Sequence, residues 1–304
     1  MNNIICIAGP TASGKTALAV ELAKELNGEV VSCDSMQIYK RMDIGTAKPT
    51  RDEMQGIPHH MIDVAEPDED FSVSRYCEMA GPIVDDIVAR GKTAVIAGGT
   101  GLYMDSLIRG NAFAPFPSTG QREKLEAQAD EMGMEYMMDW LRRIDPEAAA
   151  RIHDRKRALR ALEVYLETGE TITEHNRKTL LIPPKYHPLW LGLDFEDRAE
   201  LYRRIDLRVE IMLKDGLVEE IKSLLDSGIP EKCTAMQAIG YKEFIDALDG
   251  RCTIEEAAAQ VQQSSRRYAK RQLTWFRRNK DMNWLVRTGG EGAEEILQKA
   301  RQLL

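Results

Sequence analysis

Residues 7–20 read IAGPTASGKTALAV, and within them Gly9-Pro10-Thr11-Ala12-Ser13-Gly14-Lys15-Thr16 fits the pattern G-x-x-x-x-G-K-[ST]. The apolar run Ile4–Ala8 ahead of the pattern predicts a strand, and residues 15–26 behind it predict a helix. In a strand–loop–helix setting the loop amides and the helix amino terminus point at phosphate oxygens. Lys15 adds a mobile positive charge, and the Thr16 hydroxyl is placed to ligate a magnesium ion (Mg2+). The stretch therefore predicts a phosphorylated ligand. It does not say whether the phosphate is transferred, hydrolysed or discarded.

Working outward, residues 29–33 (EVVSC) and 93–97 (TAVIA) are further strand-like runs separated by helical patterns, the signature of a parallel sheet covered by helices. Binding residues of open parallel sheets collect at the carboxyl ends of the strands, so residues 9–16, 34–39 and 98–103 are expected to converge. Proline-rich punctuation at 114–120 (APFPSTG) and 182–188 (IPPKYHP) brackets a wholly helical pattern. Strand-like LWLGL at 189–193, long amphipathic helices and a late strand-like run at 283–286 follow. The expected architecture is α/β, a parallel-sheet core of the P-loop NTPase type with an inserted all-helical domain. The core takes residues 1–117 and 185–304, and the insertion takes 118–184.

With 304 residues, 43 % of them hydrophobic, the chain can bury a sizeable core, and two lobes are expected. No apolar run approaches the length that crosses a bilayer, and the chain opens on a short strand without a signal peptide. No membrane partner is expected, and the cytoplasm is the expected location. Five scattered cysteines without a C-x-x-C pair suggest neither a disulfide framework nor a zinc site. The net charge of −8 argues against non-specific nucleic-acid binding by the whole surface. Basic residues nevertheless cluster at 151–160, with Arg155, Lys156, Arg157 and Arg160, and again at 266–280. Taken alone, each cluster reads as a solvated helix face.

Kinases, hydrolases and other transferases share the phosphate loop. A motor or switch nucleotidase wants an acidic residue closing a later strand to hold its metal, whereas this chain offers Gly98-Gly99-Thr100 there. The acid that does stand at a strand end is Asp34, in CDSMQIY at 33–39. It reads either as a helix amino-terminal cap or as a general base beside the phosphate site. Gln37 carries a donor and an acceptor suited to the edge of a base. The pair favours a heterocyclic amine over water as the acceptor. A small-molecule kinase and a non-catalytic nucleic-acid-binding protein stand as alternatives.

At this point the chain resembles the tRNA dimethylallyltransferases, also called tRNA isopentenyltransferases. The resemblance rests on GPTASGKT at 9–16, DSMQIY at 34–39, DIGTAKP at 43–49, PHHMID at 58–63, GGTGLY at 98–103, GYKE at 240–243 and AKRQLTWFR at 269–277. It implies transfer of a dimethylallyl group from dimethylallyl diphosphate to the exocyclic amine of the adenosine just 3′ of the anticodon. The tRNAs are those reading codons that start with U, and diphosphate leaves. The loop then holds a leaving group.

The resemblance also implies roles. Lys15, the loop amides and magnesium on Thr16 would neutralise the departing diphosphate, Thr11 and Arg208 would contact it, and Asp34 would take the amine proton. The target adenosine must be turned out of its stacked anticodon loop. Asp34, Ser35, Met36 and Gln37 would read it, Thr100 would border the substrate channel, and Arg122, Lys156, Arg157 and Arg160 of the insertion would contact tRNA with the basic face of a 266–280 helix. Lys156 stands where some bacterial relatives carry glutamine. The chain ends at Leu304 without the zinc-finger spacing of eukaryotic relatives, so no zinc and a bacterial type are expected. A monomer is expected, and because the phosphate cradle is generic, ATP or ADP is expected to compete weakly for the loop.

Overall fold

A computed structural model describes residues 3–110 and 119–304, so residues 114–118 of the first proline-rich segment, and the boundary expected at 117/118, lie outside the described residues. The chain divides into two compact units, residues 1–110 with 185–304, and residues 111–184. In chain order the first unit opens with β1 (Ile4–Ala8), α1 (Lys15–Glu25), β2 (Gly28–Ser32), α2 (Arg51–Met54), β3 (His59–His60), α3 (Val73–Ala89), β4 (Thr93–Gly98) and α4 (Gly101–Arg109). The second unit holds α5 (Gln121–Met132), α6 (Met134–Ile144), α7 (Pro146–Ala149), α8 (Arg155–Thr168) and α9 (Ile172–Leu181). The first unit resumes with β5 (Leu189–Phe195), α10 (Arg198–Lys214), α11 (Leu217–Asp226), α12 (Tyr241–Leu248), α13 (Ile254–Phe276), β6 (Met282–Arg287) and α14 (Ala293–Arg301).

The six strands form one parallel sheet in the order β3-β2-β4-β1-β5-β6. Alternation along β1 divides its cover. Ile4, Cys6 and Ala8 pack into the layer that contains α3, α4 and α11 to α13, while Ile5 and Ile7 pack with α1 and α14. β1 and β4 end in register, Ala8 opposite Gly98, and β2 ends beside them with Ser32 opposite Ala97. A Cβ on Gly98 would run into the Cys33 carbonyl, so only glycine lets the chain after β2 pass this close to β4. That approach fixes where Asp34 begins its turn.

The edge strand His59–His60 has no counterpart in the sequence expectation, because two residues carry no periodicity. It is tied to β2 through Glu29, which is buried and accepts from Arg90 at 2.6 and 2.9 Å and from Lys92 at 2.7 Å, with His60 Nε2 2.8 Å away. The second unit packs around Leu125, Met137, Leu141, Leu159 and Leu162. Its buried Asp145 caps α7 through the Ala148 amide (3.0 Å) and accepts from the Thr173 amide (3.0 Å) and hydroxyl (2.8 Å), which joins α7 to α9.

Arg90, with Lys92 and His60, holds the Glu29 carboxyl far below its ordinary value of 4.5 despite burial. A carboxyl depressed on folding stabilises the native state fully above its unfolded pKa, and the contribution is lost as pH falls below it. Glu29→Gln should therefore cost about 2–3 kcal/mol at neutral pH, less than a fully buried pair because the cations reach solvent. The gap between the two proteins should narrow as pH falls from 4.5 toward about 3, read by urea denaturation.

Candidate active site

The loop between β1 and α1 contributes Thr11 to Thr16 to the floor of a cavity of about 910 Å3. Two residues set its path. Gly14 takes φ +91° at the amino-terminal cap of α1, and Ala12 holds φ +61°, a left-handed conformation uncommon for a residue with a side chain. Gly9 lies where a Cβ would press on Leu193 and on the Ser13 hydroxyl at 3.0–3.1 Å. Pro10 supplies its carbonyl, which accepts from Lys15 Nζ at 2.6 Å. Burial lowers Lys15 from 10.5 to about 8, a shift that Asp34 opposes and Arg208 reinforces. Burial lowers Arg208 as well, with Asp34 and Glu53 opposing. Two desolvated cations therefore face one cavity, an arrangement that an anion relieves.

Side chains from beyond the insertion hold the crest of the loop. Arg208 of α10 donates to the Thr11 hydroxyl at 3.3 Å, and Arg204 donates to the Ala12 carbonyl at 3.0 Å. Gln272 of α13 accepts from the Thr11 amide at 2.9 Å. Arg204 and Arg287 also lie against the Phe195 ring, at 5.8 and 5.7 Å from its centroid.

Asp34 follows β2 after the single residue Cys33. No helix follows it, which corrects the capping alternative. Its Oδ1 instead accepts from the Met36 amide (2.9 Å) and the Gln37 amide (3.4 Å), closing a turn. The Ser35 amide donates to the Thr100 hydroxyl at 3.0 Å, so the turn is fastened to the loop after β4. Gln37 is engaged internally rather than presenting a free edge. Its Oε1 accepts from the Ser32 hydroxyl at 2.9 Å, and its Nε2 donates to the Ala47 carbonyl at 3.1 Å. It thereby braces residues 43–49, a wall of the large cavity. Glu220 holds the same wall, accepting from the amides of Asp43 and Ile44 at 2.8 Å and from the Tyr241 hydroxyl at 2.6 Å.

A second cavity, about 290 Å3, is lined by Ser35 and Met36 together with apolar Ile205, Val209 and Val261. The two cavities share Thr11, Asp34, Thr46, Arg208, Met212 and Tyr268. Burial, with the Asp34 charge nearby, pushes the Tyr268 phenol up to about 12. One cavity is thus walled by the 11–16 loop, the other mixes apolar side chains with Ser35, Arg208, Gln237 and Arg271, and the Asp34 carboxylate lines both.

The family model for IPP transferase matches residues 37–279. The chain belongs to the IPP transferase family. A tRNA dimethylallyltransferase of Geobacillus thermodenitrificans is 49 % identical over 294 residues, 95 % of this chain and 91 % of that protein. The crystal structure of the tRNA isopentenylpyrophosphate transferase of Bacillus halodurans is 42 % identical, with a TM-score of 0.75, covering 100 % of this chain and 96 % of that one. A eukaryotic dimethylallyltransferase acting on tRNA is 30 % identical, with a TM-score of 0.85, covering 99 % of this chain and 78 % of that one.

For this IPP transferase, the basic clusters resolve into paired and exposed residues. In the second unit Arg155 pairs with Asp130 at 2.6 Å, Arg160 with Glu163 at 2.8 Å, and Arg122 with Glu126 at 2.8 Å. Lys156 and Arg157 are exposed at the start of α8, Arg157 at 3.4 Å from Asp154. In the other cluster the helix ends at Phe276, so Arg277, Arg278 and Lys280 lie beyond it. Arg266 pairs with Asp206 and Arg277 with Asp194, while Arg267, Lys270 and Arg271 are exposed.

Gln272, Tyr268, Arg204, Glu220 and Tyr241 carry no role in the sequence reading. Gln272 and Tyr241 fall inside family motifs, the one signal available. Replacing Lys15 with Met should weaken inorganic pyrophosphate binding about 10- to 100-fold, the ~1.5–3 kcal/mol of a charged hydrogen bond, measured by titration calorimetry.

Proposed function

We propose that this chain modifies tRNA by transferring a dimethylallyl group from dimethylallyl diphosphate to the exocyclic amine of the adenosine 3′-adjacent to the anticodon, in tRNAs reading codons that start with U. The observation that carries this reading is the meeting of the two cavities at Asp34. A diphosphate on the loop puts its allylic carbon at that junction. An adenine turned out of the anticodon loop reaches the same junction from the smaller cavity, past Ser35 and Met36.

At the junction the allylic carbon–oxygen bond breaks and the diphosphate keeps the electron pair. The adenine amine forms the new carbon–nitrogen bond, and Asp34 accepts the proton that the amine sheds. Lys15, Arg208, the Thr11 hydroxyl and the loop amides stabilise the charge on the leaving oxygen, which is largest in the transition state and product. The Thr16 hydroxyl on the cavity wall is a hard oxygen donor that would help to hold magnesium. When bound, magnesium supplies further neutralisation of the diphosphate.

The helical unit, residues 118–184 in the sequence reading, is proposed to contact tRNA. Exposed Lys156 and Arg157, with Arg160 and Arg122, add salt-dependent affinity for backbone phosphate without reading bases. Thr100 and Gln37 serve the acceptor side by holding the Asp34 turn and the 43–49 wall. The protein is taken to act as a monomer in the cytoplasm.

The test is incubation with magnesium, labelled dimethylallyl diphosphate and unmodified tRNA, followed by digestion. Isopentenyladenosine should form without ATP, and an ATP requirement with phosphoryl transfer would instead favour the kinase alternative. Asp34→Asn should lower single-turnover transfer by about 10²- to 10⁴-fold while tRNA affinity holds within about twofold. Near-normal transfer by that variant removes Asp34 from the role of base.

A further inference from the structure

Gln272 is buried in α13, 261 positions along the chain from its partner Thr11. Its side chain spends both polar atoms on the backbone of the two loops that carry the reaction. Oε1 accepts from the Thr11 amide at 2.9 Å, on the loop that grips phosphate. Nε2 donates to the Gly99 carbonyl at 3.0 Å, on the loop after β4. A Cβ on Gly99 would collide with that same Nε2, so the glycine makes room for this bond. From Gly99 the connection continues by backbone and hydroxyl. The Thr100 amide donates to the Cys33 carbonyl at 3.2 Å, and the Thr100 hydroxyl accepts from Ser35, the residue after Asp34.

We propose that Gln272 is a positioning residue that sets the separation between the leaving-group loop and the Asp34 turn. The inference rests on the transfer reaction proposed above. A primary amide accepts on one side and donates on the other without carrying charge at any working pH. Charge matters here, because a carboxylate at 272 would repel both the Gly99 carbonyl and a bound diphosphate.

The test uses two variants in the full chain. Gln272→Met keeps the volume and removes both bonds. It should lower kcat/KM for dimethylallyl diphosphate about 10- to 100-fold, the scale of a misplacement near 1 Å, and weaken pyrophosphate binding severalfold. Affinity for tRNA should stay within about twofold. Gln272→Glu should be poor at neutral pH and recover relative to wild type as pH falls, since a protonated carboxyl accepts and donates as the amide does. The charged and titratable groups lining the same cavity, Lys15, Asp34, Asp43, Lys48, Glu53, Arg203, Arg204, Arg208, Asp215 and Tyr268, are common to both proteins, so the ratio of the two profiles removes the titration that they share.

A lowered melting temperature with wild-type kcat/KM in Gln272→Met, or a flat ratio in Gln272→Glu, reduces Gln272 to a packing residue and overturns the inference. If wild type itself forms no isopentenyladenosine, the transfer reading fails instead. Pyrophosphate calorimetry then still reports whether Gln272 shapes the loop.

Discussion

In the proposed reading residues 9–16 offer their amides to a phosphate; a loop that does so cannot use those amides to hold itself, and the rest of this site follows from that constraint. Residues 9–16 have little internal hydrogen bonding to keep them in place, and Ala12 takes a left-handed conformation that costs energy unless its surroundings enforce it. The enforcement comes from outside. Arg204 and Arg208 on α10 and Gln272 on α13 reach the carbonyl, hydroxyl and amide of Thr11 and Ala12, leaving the following amides for the ligand. The loop is therefore a product of the last third of the chain as much as of its own sequence.

The same elements create an electrostatic tension. Placing Lys15 and Arg208 on one partly desolvated cavity disfavours both charges, and burial lowers the pKa of each. Asp34 relieves part of this, and its closeness is a consequence of Gly98, which lets the chain after β2 pass against the end of β4. Two cations and one carboxylate leave an excess of positive charge that a diphosphate can satisfy. The carboxylate is kept apart from the phosphate loop by being tied into its own turn through Met36 and Gln37.

Features that repeat along the chain are legible in the sequence. The first, second, fourth, fifth and sixth strands and the phosphate loop show themselves through apolar runs and glycine spacing, because those signals are local. His59–His60 was invisible, since a two-residue strand owes its existence to its neighbour and to Glu29. Gln37 shows a subtler limit of local reading. Its amide looked suited to a base edge, but in the fold Ser32 and the 43–49 wall occupy it. Gln272 could not be found from periodicity at all, because a buried glutamine on an amphipathic helix gains meaning only from loops some 170 and 260 positions away. The basic run after Phe276 extends the helical pattern in sequence, whereas the chain must leave the helix there to enter β6.

The distinction between moving a phosphate and moving a hydrocarbon gives this arrangement its sense. When a phosphoryl group is transferred, the loop must balance reactant and product as charge migrates. In the proposed reaction the diphosphate stays where it is, and only its charge grows as the allylic bond breaks. A rigidly clamped loop with partly desolvated cations suits that case, since each interaction strengthens along the reaction coordinate without any loop movement. The cost appears afterwards, because the more highly charged product is held most tightly.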